Sequence, residues 1–256
     1  MIIIKLMGGL GNQMFQYAYG FALAKRKKTN LLLDMSFFSE KKIATPRIFE
    51  LDQLCITQNN TKQKPFLTKI PKIGNKLKSF LNYFEDYFQS EKFFADCTEE
   101  IRKEFQFKKK LQIPKGNTVA IHVRRGDYVK FEDIHLVCTP AYYENAITYI
   151  QSKVEAPIFY VFSEDLEWVK QNINIPSNSV FVDYNPNLSS SHNMQFMSLC
   201  KHQIISNSSY SWWAAWLNQN PSKIIVAPDK WFADGRETDI YTDDMVRIST
   251  KEEKNE

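Results

Sequence analysis

The sequence predicts an α/β fold of two Rossmann-like domains facing each other across a cleft. Three observations carry this. An apolar run, a glycine-rich turn, a helical period and a second apolar run succeed one another within the first 34 residues, which is a βαβ opening. From Thr118 onward, five short apolar runs alternate with stretches of helical spacing, the rhythm of a parallel sheet. Between these regions lies Gln112-Ile113-Pro114-Lys115-Gly116-Asn117, a polar segment carrying proline and glycine. It sets the expected domains at 1–113 and 114–256. Two such domains leave a cleft between them, a favoured ligand location.

The elements follow in order. Met1 to Leu6 reads as a first strand, and Met7-Gly8-Gly9-Leu10-Gly11-Asn12-Gln13 as a glycine-rich turn. Met14, Phe15, Ala18, Phe21 and Ala22 then fall on one helical face in a helix running to Lys28. Lys25 to Lys28 supply cations where a helix C-terminus favours them. Asn30 to Asp34 is a second strand. Thr45 to Cys55 reads as loop followed by strand, and Asn59 to Asn75, with Pro65, Pro71 and Gly74, as loop. Phe80 to Phe94 is dense in aromatic residues, which serve either as core and cleft wall or as a platform for sugar rings. Cys97 to Phe107 reads as helix, with Glu99 and Glu100 early, as the dipole prefers.

In the second half the expected strands are Thr118–Val123, Ile158–Ser163, Ser179–Asp183, Gln203–Ser206 and Lys223–Ala227. The helices between them are Pro140–Val154, Asp165–Gln171, Ser191–Cys200 and Ser209–Asn218. Thr139 is a suitable N-cap and Pro140 a suitable first helical residue. The segment from Trp231 reads as irregular, and Lys251 to Glu256 as a frayed end.

Composition excludes several classes. Hydrophobic residues make up 43%, enough for a full core, and the net charge of +4 comes from dispersed cations. Nucleic-acid binding prefers a basic stripe, so none is expected. Lys25 to Lys28 and Lys108-Lys109-Lys110 also suit peripheral contact with an anionic membrane face. Cys55, Cys97, Cys138 and Cys200 stand far apart, without metal-ligand spacing. The start, Met1-Ile2-Ile3-Ile4-Lys5, has no charged leader region, and no apolar run approaches the ~20 residues of a membrane helix. The expectation is a cytoplasmic protein with free thiols.

Chemistry concentrates at strand ends. Gly9-Leu10-Gly11, with Asp34 downstream, resembles a dinucleotide fingerprint, but Met14 replaces the third glycine, which argues against a nicotinamide site. Asn12 and Gln13 instead offer two amides to a sugar hydroxyl or phosphate at a helix start. Three clusters follow strands of the second half: His122, Arg124, Arg125 and Asp127; Ser163, Glu164 and Asp165; and Ser206 to Ser211. Parallel strands deliver all three to one sheet edge, where ligands of open α/β sheets bind. Arginine matches phosphate oxygens, and a helix opening at Ser209 suits a phosphate. The site fits a nucleoside diphosphate. No Asp-x-Asp occurs, so no metal is expected and arginine must carry the charge of a departing diphosphate. Gly-x-Ser-x-Gly and P-loop motifs are absent.

At these residues the chain resembles the α-1,2-fucosyltransferases of glycosyltransferase family 11. Gly8-Gly9-Leu10-Gly11-Asn12-Gln13-Met14-Phe15-Gln16-Tyr17-Ala18 is similar to the family's N-terminal signature, and Tyr87-Phe88-Gln89-Ser90-Glu91-Lys92-Phe93-Phe94 to its middle motif. His122-Val123-Arg124-Arg125-Gly126-Asp127-Tyr128 resembles a His-x-Arg-Arg-x-Asp motif shared with α-1,6- and protein O-fucosyltransferases. Ser206-Asn207-Ser208-Ser209-Tyr210-Ser211-Trp212-Trp213 resembles the C-terminal motif, with Tyr210 where phenylalanine is common.

The resemblance implies a GT-B-like fold, a GDP-fucose donor and an inverting mechanism without metal or other cofactor. The implied acceptor is a galactose-terminated oligosaccharide or glycolipid. Arg124 would hold the β-phosphate, with His122 and Arg125 also on the donor. Ser163, Glu164 and Asp165 would lie near ribose or guanine, and Asn207, Ser208 and Ser209 would cap the phosphates. Gly9, Gly11, Asn12, Gln13 and Glu91 would face the acceptor side. Asp127 is either the general base or the buttress of an arginine, and Glu91 is a second candidate base. Two other readings stay open: transfer to another position or acceptor, and a non-catalytic carbohydrate-binding module using Phe80 to Phe94. An unanchored enzyme of this class suits bacterial glycan assembly on lipid-linked O-antigen or capsule precursors at the inner membrane face.

Overall fold

The computed structural model of the protein describes residues 1–39, 46–57, 82–126, 138–183 and 189–251. The chain divides into two compact units, Met1–Lys110 and Leu111–Glu256. Both are α/β, and among the described residues the strands of the two sheets pair in parallel.

In the N-terminal unit, β1 (Ile2–Lys5) lies between β2 (Leu31–Asp34) and β3 (Tyr83–Phe84). Ile2, Ile3 and Ile4 are all buried, as a strand covered on both faces requires. Helix α1 (Leu10–Arg26) crosses between β1 and β2 and begins four residues before the expected Met14. The glycine segment is therefore mostly the first turn of a helix. Gly8 takes the left-handed backbone (φ +74°) and Gly9 is the extended N-cap, so the turn itself is short. Gly20 is where α1 meets the sheet. A β-carbon there would lie 2.5 Å from Ile4 Cγ1 and 2.8 Å from Leu31 Cδ1. Gly20→Ala is expected to destabilise the protein by about 1–3 kcal/mol through overpacking, seen as a lowered thermal midpoint with unchanged helix content.

The strand expected within Thr45 to Cys55 is not found in the described part of that segment. Leu51–Gln53 is a 3-10 turn, and Leu54 forms a single bridge to Phe107. Leu51 and Leu54 are both buried, so a spacing of three puts the apolar residues on one side of a turn. The short helix α2 (Thr98–Glu104) matches the helical reading of that region, and Lys25 and Arg26 of α1 pair with Glu100 and Asp96 beside it.

The C-terminal unit runs β4 (Thr118–Val123), α3 (Pro140–Lys153), β5 (Ile158–Ser163), α4 (Leu166–Asn172) and β6 (Val180–Phe181). It continues with α5 (Ser190–Leu199), β7 (His202–Ile204), α6 (Ser209–Leu217), β8 (Ile225–Pro228) and β9 (Met245–Ile248). Strand β9 corrects the irregular reading after Trp231. It is a partly exposed edge strand of four residues, too short to show a period. The sheet order is β6-β5-β4-β7-β8-β9. The chain builds outward from β4 through β5 to β6, then returns to β7 on the other side. This is the doubly wound Rossmann order, and its switch point lies between β4 and β7. Val119, Ile121, Phe159, Val161 and Ile204 pack with Tyr142, Tyr143, Ala146 and Ile150 of α3 in one core cluster.

Among the described residues, no helix is long and apolar enough to cross a membrane. Cys55 is an exposed free thiol; Cys97, Cys138 and Cys200 are buried free thiols.

Candidate active site

Ligands of doubly wound sheets sit beyond the carboxyl ends of the strands at the switch point. Here that place is the end of β4 beside the end of β7. Register decides what gathers there. Val123 pairs with Ser163 across β4 and β5, so the next residues, Arg124 and Arg125, stand opposite Glu164 and Asp165. Arg124 Nη1 lies 2.6 Å from Glu164 Oε1, and Arg125 Nε lies 3.6 Å from Asp165 Oδ2.

The two arginines differ in what surrounds them. The Arg125 guanidinium lies 3.5 Å from the centre of the Trp168 ring, a cation–π contact that fixes it on α4. Asp165 is engaged as well, since its carboxylate caps α4 by accepting from Trp168 N. Ser163 Oγ accepts from Asp165 N at 3.0 Å. Arg124 stands at the strand end against the Glu164 carboxylate. Gly126 makes room for that pair, because a β-carbon there would come within 2.5 Å of Glu164 Oε1.

His122 closes the gap between β4 and β7. It is buried, and its Nδ1 lies 2.9 Å from Ser206 Oγ. Burial first, and the nearby Arg124 charge second, push its pKa down to about 3, so the ring stays neutral at any physiological pH. The unfolded chain binds a proton near pH 6.5 and the folded chain does not, so stability rises with pH between about 3 and 6.5. Acidification from pH 7 to 5 should therefore cost about 2 kcal/mol through this residue. His122→Asn should show a correspondingly flatter dependence of unfolding free energy on pH, measured by denaturant titration.

After β7, Ser208 caps α6 by accepting from Tyr210 N, which directs the positive end of a nine-residue helix to the same sheet edge. Asn207 is buried and works within the fold. Its Nδ2 donates to Trp231 O at 2.9 Å, and its Oδ1 accepts from the Cys138 thiol. Burial raises that thiol to about 12, so it remains a donor. Beneath the site, Tyr142 donates to Ile205 O at 2.5 Å and Tyr143 to His122 O at 3.4 Å. Both phenols are pushed up by burial and stay protonated. These tyrosines hold the ends of β4 and β7 from below.

In the N-terminal unit, Gln13 bridges loops: Nε2 donates to Gly8 O and Ile48 O, and Oε1 accepts from Glu50 N. Asn12 Oδ1 accepts from Gln89 Nε2 at 2.9 Å. Gly9 and Gly11 lie at the start of α1, with the Arg47 side chain 3.8 Å from a β-carbon on Gly9. Glu91 opens a 3-10 turn capped by Ser90. Asp34, the acid a dinucleotide site would need, is buried and accepts from Tyr83 Oη and Ser36 N. The aromatic stretch divides: Phe94 is buried, Phe88 stacks on Tyr19 at 3.9 Å, and Tyr87 and Phe93 are exposed.

The family model of glycosyl transferase family 11 matches residues 1–249. The chain belongs to glycosyl transferase family 11. This family 11 chain is 33% identical to an alpha-1,2-colitosyltransferase of Escherichia coli, over 90% of its own length and 92% of that protein. It is 31% identical to the O-antigen biosynthesis glycosyltransferase WbnK of Escherichia coli, over 95% and 99%. A mouse galactoside 2-alpha-L-fucosyltransferase, Sec1, is 26% identical over 85% of this chain and 64% of its own. Among solved structures, the NodZ alpha-1,6-fucosyltransferase soaked with GDP-fucose superposes with a TM-score of 0.52 at 13% identity, covering 89% of this chain and 94% of that one. That likeness is one of fold.

For the family 11 chain, the structure thus brings His122, Arg124, Arg125, Ser163, Glu164, Asp165, Asn207, Ser208 and Ser209 to one edge of one sheet. Asp127 lies outside the described residues. Reasoning from sequence missed Trp168, Tyr142, Tyr143 and Gly126. Only Gly126 carried a local signal, a glycine between an arginine pair and an aspartate. Among the described residues, no group of three His, Cys, Asp or Glu side chains is arranged to hold a metal ion.

Proposed function

We propose that this chain is an inverting, metal-independent transferase that moves L-fucose from GDP-fucose to O2 of a galactoside in a glycan. The observation that carries the reading is Arg124 immediately after β4, on the same sheet edge as the start of α6, which follows the neighbouring strand β7, at the switch point of a doubly wound sheet. A guanidinium and a helix N-terminus at one strand edge form a cradle for a diphosphate. Family 11 membership and the relatives named for fucosyl and colitosyl transfer support the choice of sugar. The reading includes a GT-B architecture.

The reaction is a single displacement. The acceptor O2 attacks the anomeric carbon as the bond to the β-phosphate oxygen breaks on the opposite face. The electron pair leaves with GDP, and Arg124 and the α6 dipole stabilise the charge that grows there. The hydroxyl proton passes to a carboxylate, with Asp127 as the base and Glu91 as the second candidate. Neutral His122 contacts the nucleotide and does not take the proton. Positioning supplies the rest.

A second reading, transfer of colitose, is favoured by the 33% identical relative. Colitose is fucose without its 3-hydroxyl. A site that hydrogen-bonds that hydroxyl would reject colitose strongly, and one that does not would accept both. The relative named for O-antigen biosynthesis supports a glycan acceptor; the reading adds a lipid-linked precursor, a cytoplasmic location and peripheral contact with the inner membrane face.

The test is incubation with GDP-fucose and a panel of β-galactosides in excess EDTA, followed by linkage analysis. The expected result is GDP release and an α-1,2-fucosylated product. No product across the panel would overturn the reading. Activity abolished by EDTA and restored by a divalent cation would overturn its metal-free part.

A further inference from the structure

We propose that the cavity beyond the end of β8 is the subsite for the acceptor sugar, so that the C-terminal unit holds donor and acceptor alike. This rests on the transferase reading above and moves the acceptor from the glycine turn of the N-terminal unit, where sequence places it.

The cavity measures about 500 Å³, within the range of small-ligand sites. Its wall is the loop from Asp229 to Tyr241, fastened at three points. Asn207 Nδ2 donates to Trp231 O at 2.9 Å, Trp212 Nε1 to Ile240 O at 2.7 Å, and Tyr241 Oη to Pro228 O at 2.8 Å. The concavity is therefore preformed. Its lining carries the cations Lys230, Arg236 and Arg247 together with the carboxylates Asp229, Glu237 and Asp239. Such a balance does not favour an anion. It does suit a neutral polyol, whose hydroxyls both donate and accept. Tyr241, half-buried and packed edge to face at 5.9 Å on the buried Trp231, adds apolar surface for a sugar ring.

Position decides the assignment. The attacking hydroxyl must come within about 3–3.5 Å of the anomeric carbon, next to the β-phosphate. The acceptor subsite must then adjoin the phosphate cap. Trp231 is hydrogen-bonded to Asn207, the residue that immediately precedes the α6 N-cap Ser208.

The experiment uses lactose as the probe, with the variants Glu237→Gln and Arg247→Ala. Each is expected to raise the KM for lactose by about tenfold, the effect of one lost polar contact, and to leave the KM for GDP-fucose within about twofold. An unchanged lactose KM in both, or an equal rise in the donor KM, would overturn the inference. Saturation-transfer NMR of lactose with the GDP-loaded protein reads binding without turnover. Loss of the signal in the double variant is expected, and an undiminished signal overturns the assignment, as does no lactose signal with the unaltered protein. If lactose binding falls in the variants but the unaltered protein transfers no fucose, the cavity stands and the fucosyl reading fails.

Discussion

Arg124→Ala is expected to lower turnover by about 10²–10³-fold, the usual loss when one preorganised donor to a developing oxyanion is removed. The expected effect on stability is small. Arg124 pairs with Glu164 at 2.6 Å, but the two side chains keep 24% and 31% of their surface in solvent, where screening holds such pairs to about 1 kcal/mol or less. Arg125→Ala provides the contrast. Its guanidinium lies on Trp168, so its removal should affect folding more and chemistry less than removal of Arg124. Steady-state rates and thermal unfolding of the two variants check the division. Near-normal turnover in Arg124→Ala would refute its phosphate role.

Trp212→Ala is expected to destabilise the protein by about 3–5 kcal/mol, the range for emptying a large aromatic site. Trp212 is fully buried, packs edge to face on Trp213 at 4.9 Å and lies parallel to Trp216. It also donates to Ile240 O, so alanine leaves a carbonyl without that partner as well as a cavity. Against a total of about 5–15 kcal/mol for a typical domain, this is a large share. Trp212→Phe keeps most of the ring and loses the N–H. It should cost less stability and loosen the Asp229–Tyr241 loop, which amide exchange at Ile240 and Tyr241 would report. Equal stability of Trp212→Ala and the unaltered protein would remove α6 from its anchoring role.

How far the sequence reveals this arrangement depends on the range of the forces involved. Strand β1, helix α1 and strand β2 were legible because their periods are local and strong. The same holds for β4, α3 and β5, and for the cap at Thr139, which accepts from Tyr142 N as its residue type suggests. The clusters at the ends of β4, β5 and β7 were legible because parallel strands must deliver them to one edge. The division of labour between Arg124 and Arg125 was not, since it depends on register with β5 and on a tryptophan 43 positions further along the chain. The hydrogen bond from Asn207 to Trp231 O was not legible either, since only the return of β8 brings that partner near. The start of α1 was misjudged because glycines suggest a turn, whereas Gly11 sits in the first helical turn and only Gly8 needs the left-handed backbone. Strand β9 was missed because an edge strand of four residues is set by its partner β8 and not by its own pattern.

Calorimetric titration of GDP into the unaltered protein and into Arg124→Ala tests the diphosphate cradle at the β4 and β7 ends most directly. The prediction is single-site binding to the unaltered protein and at least about tenfold weaker binding to the variant, the loss of one charge-assisted contact. Equal affinity in the two proteins, or no binding to either, would contradict it.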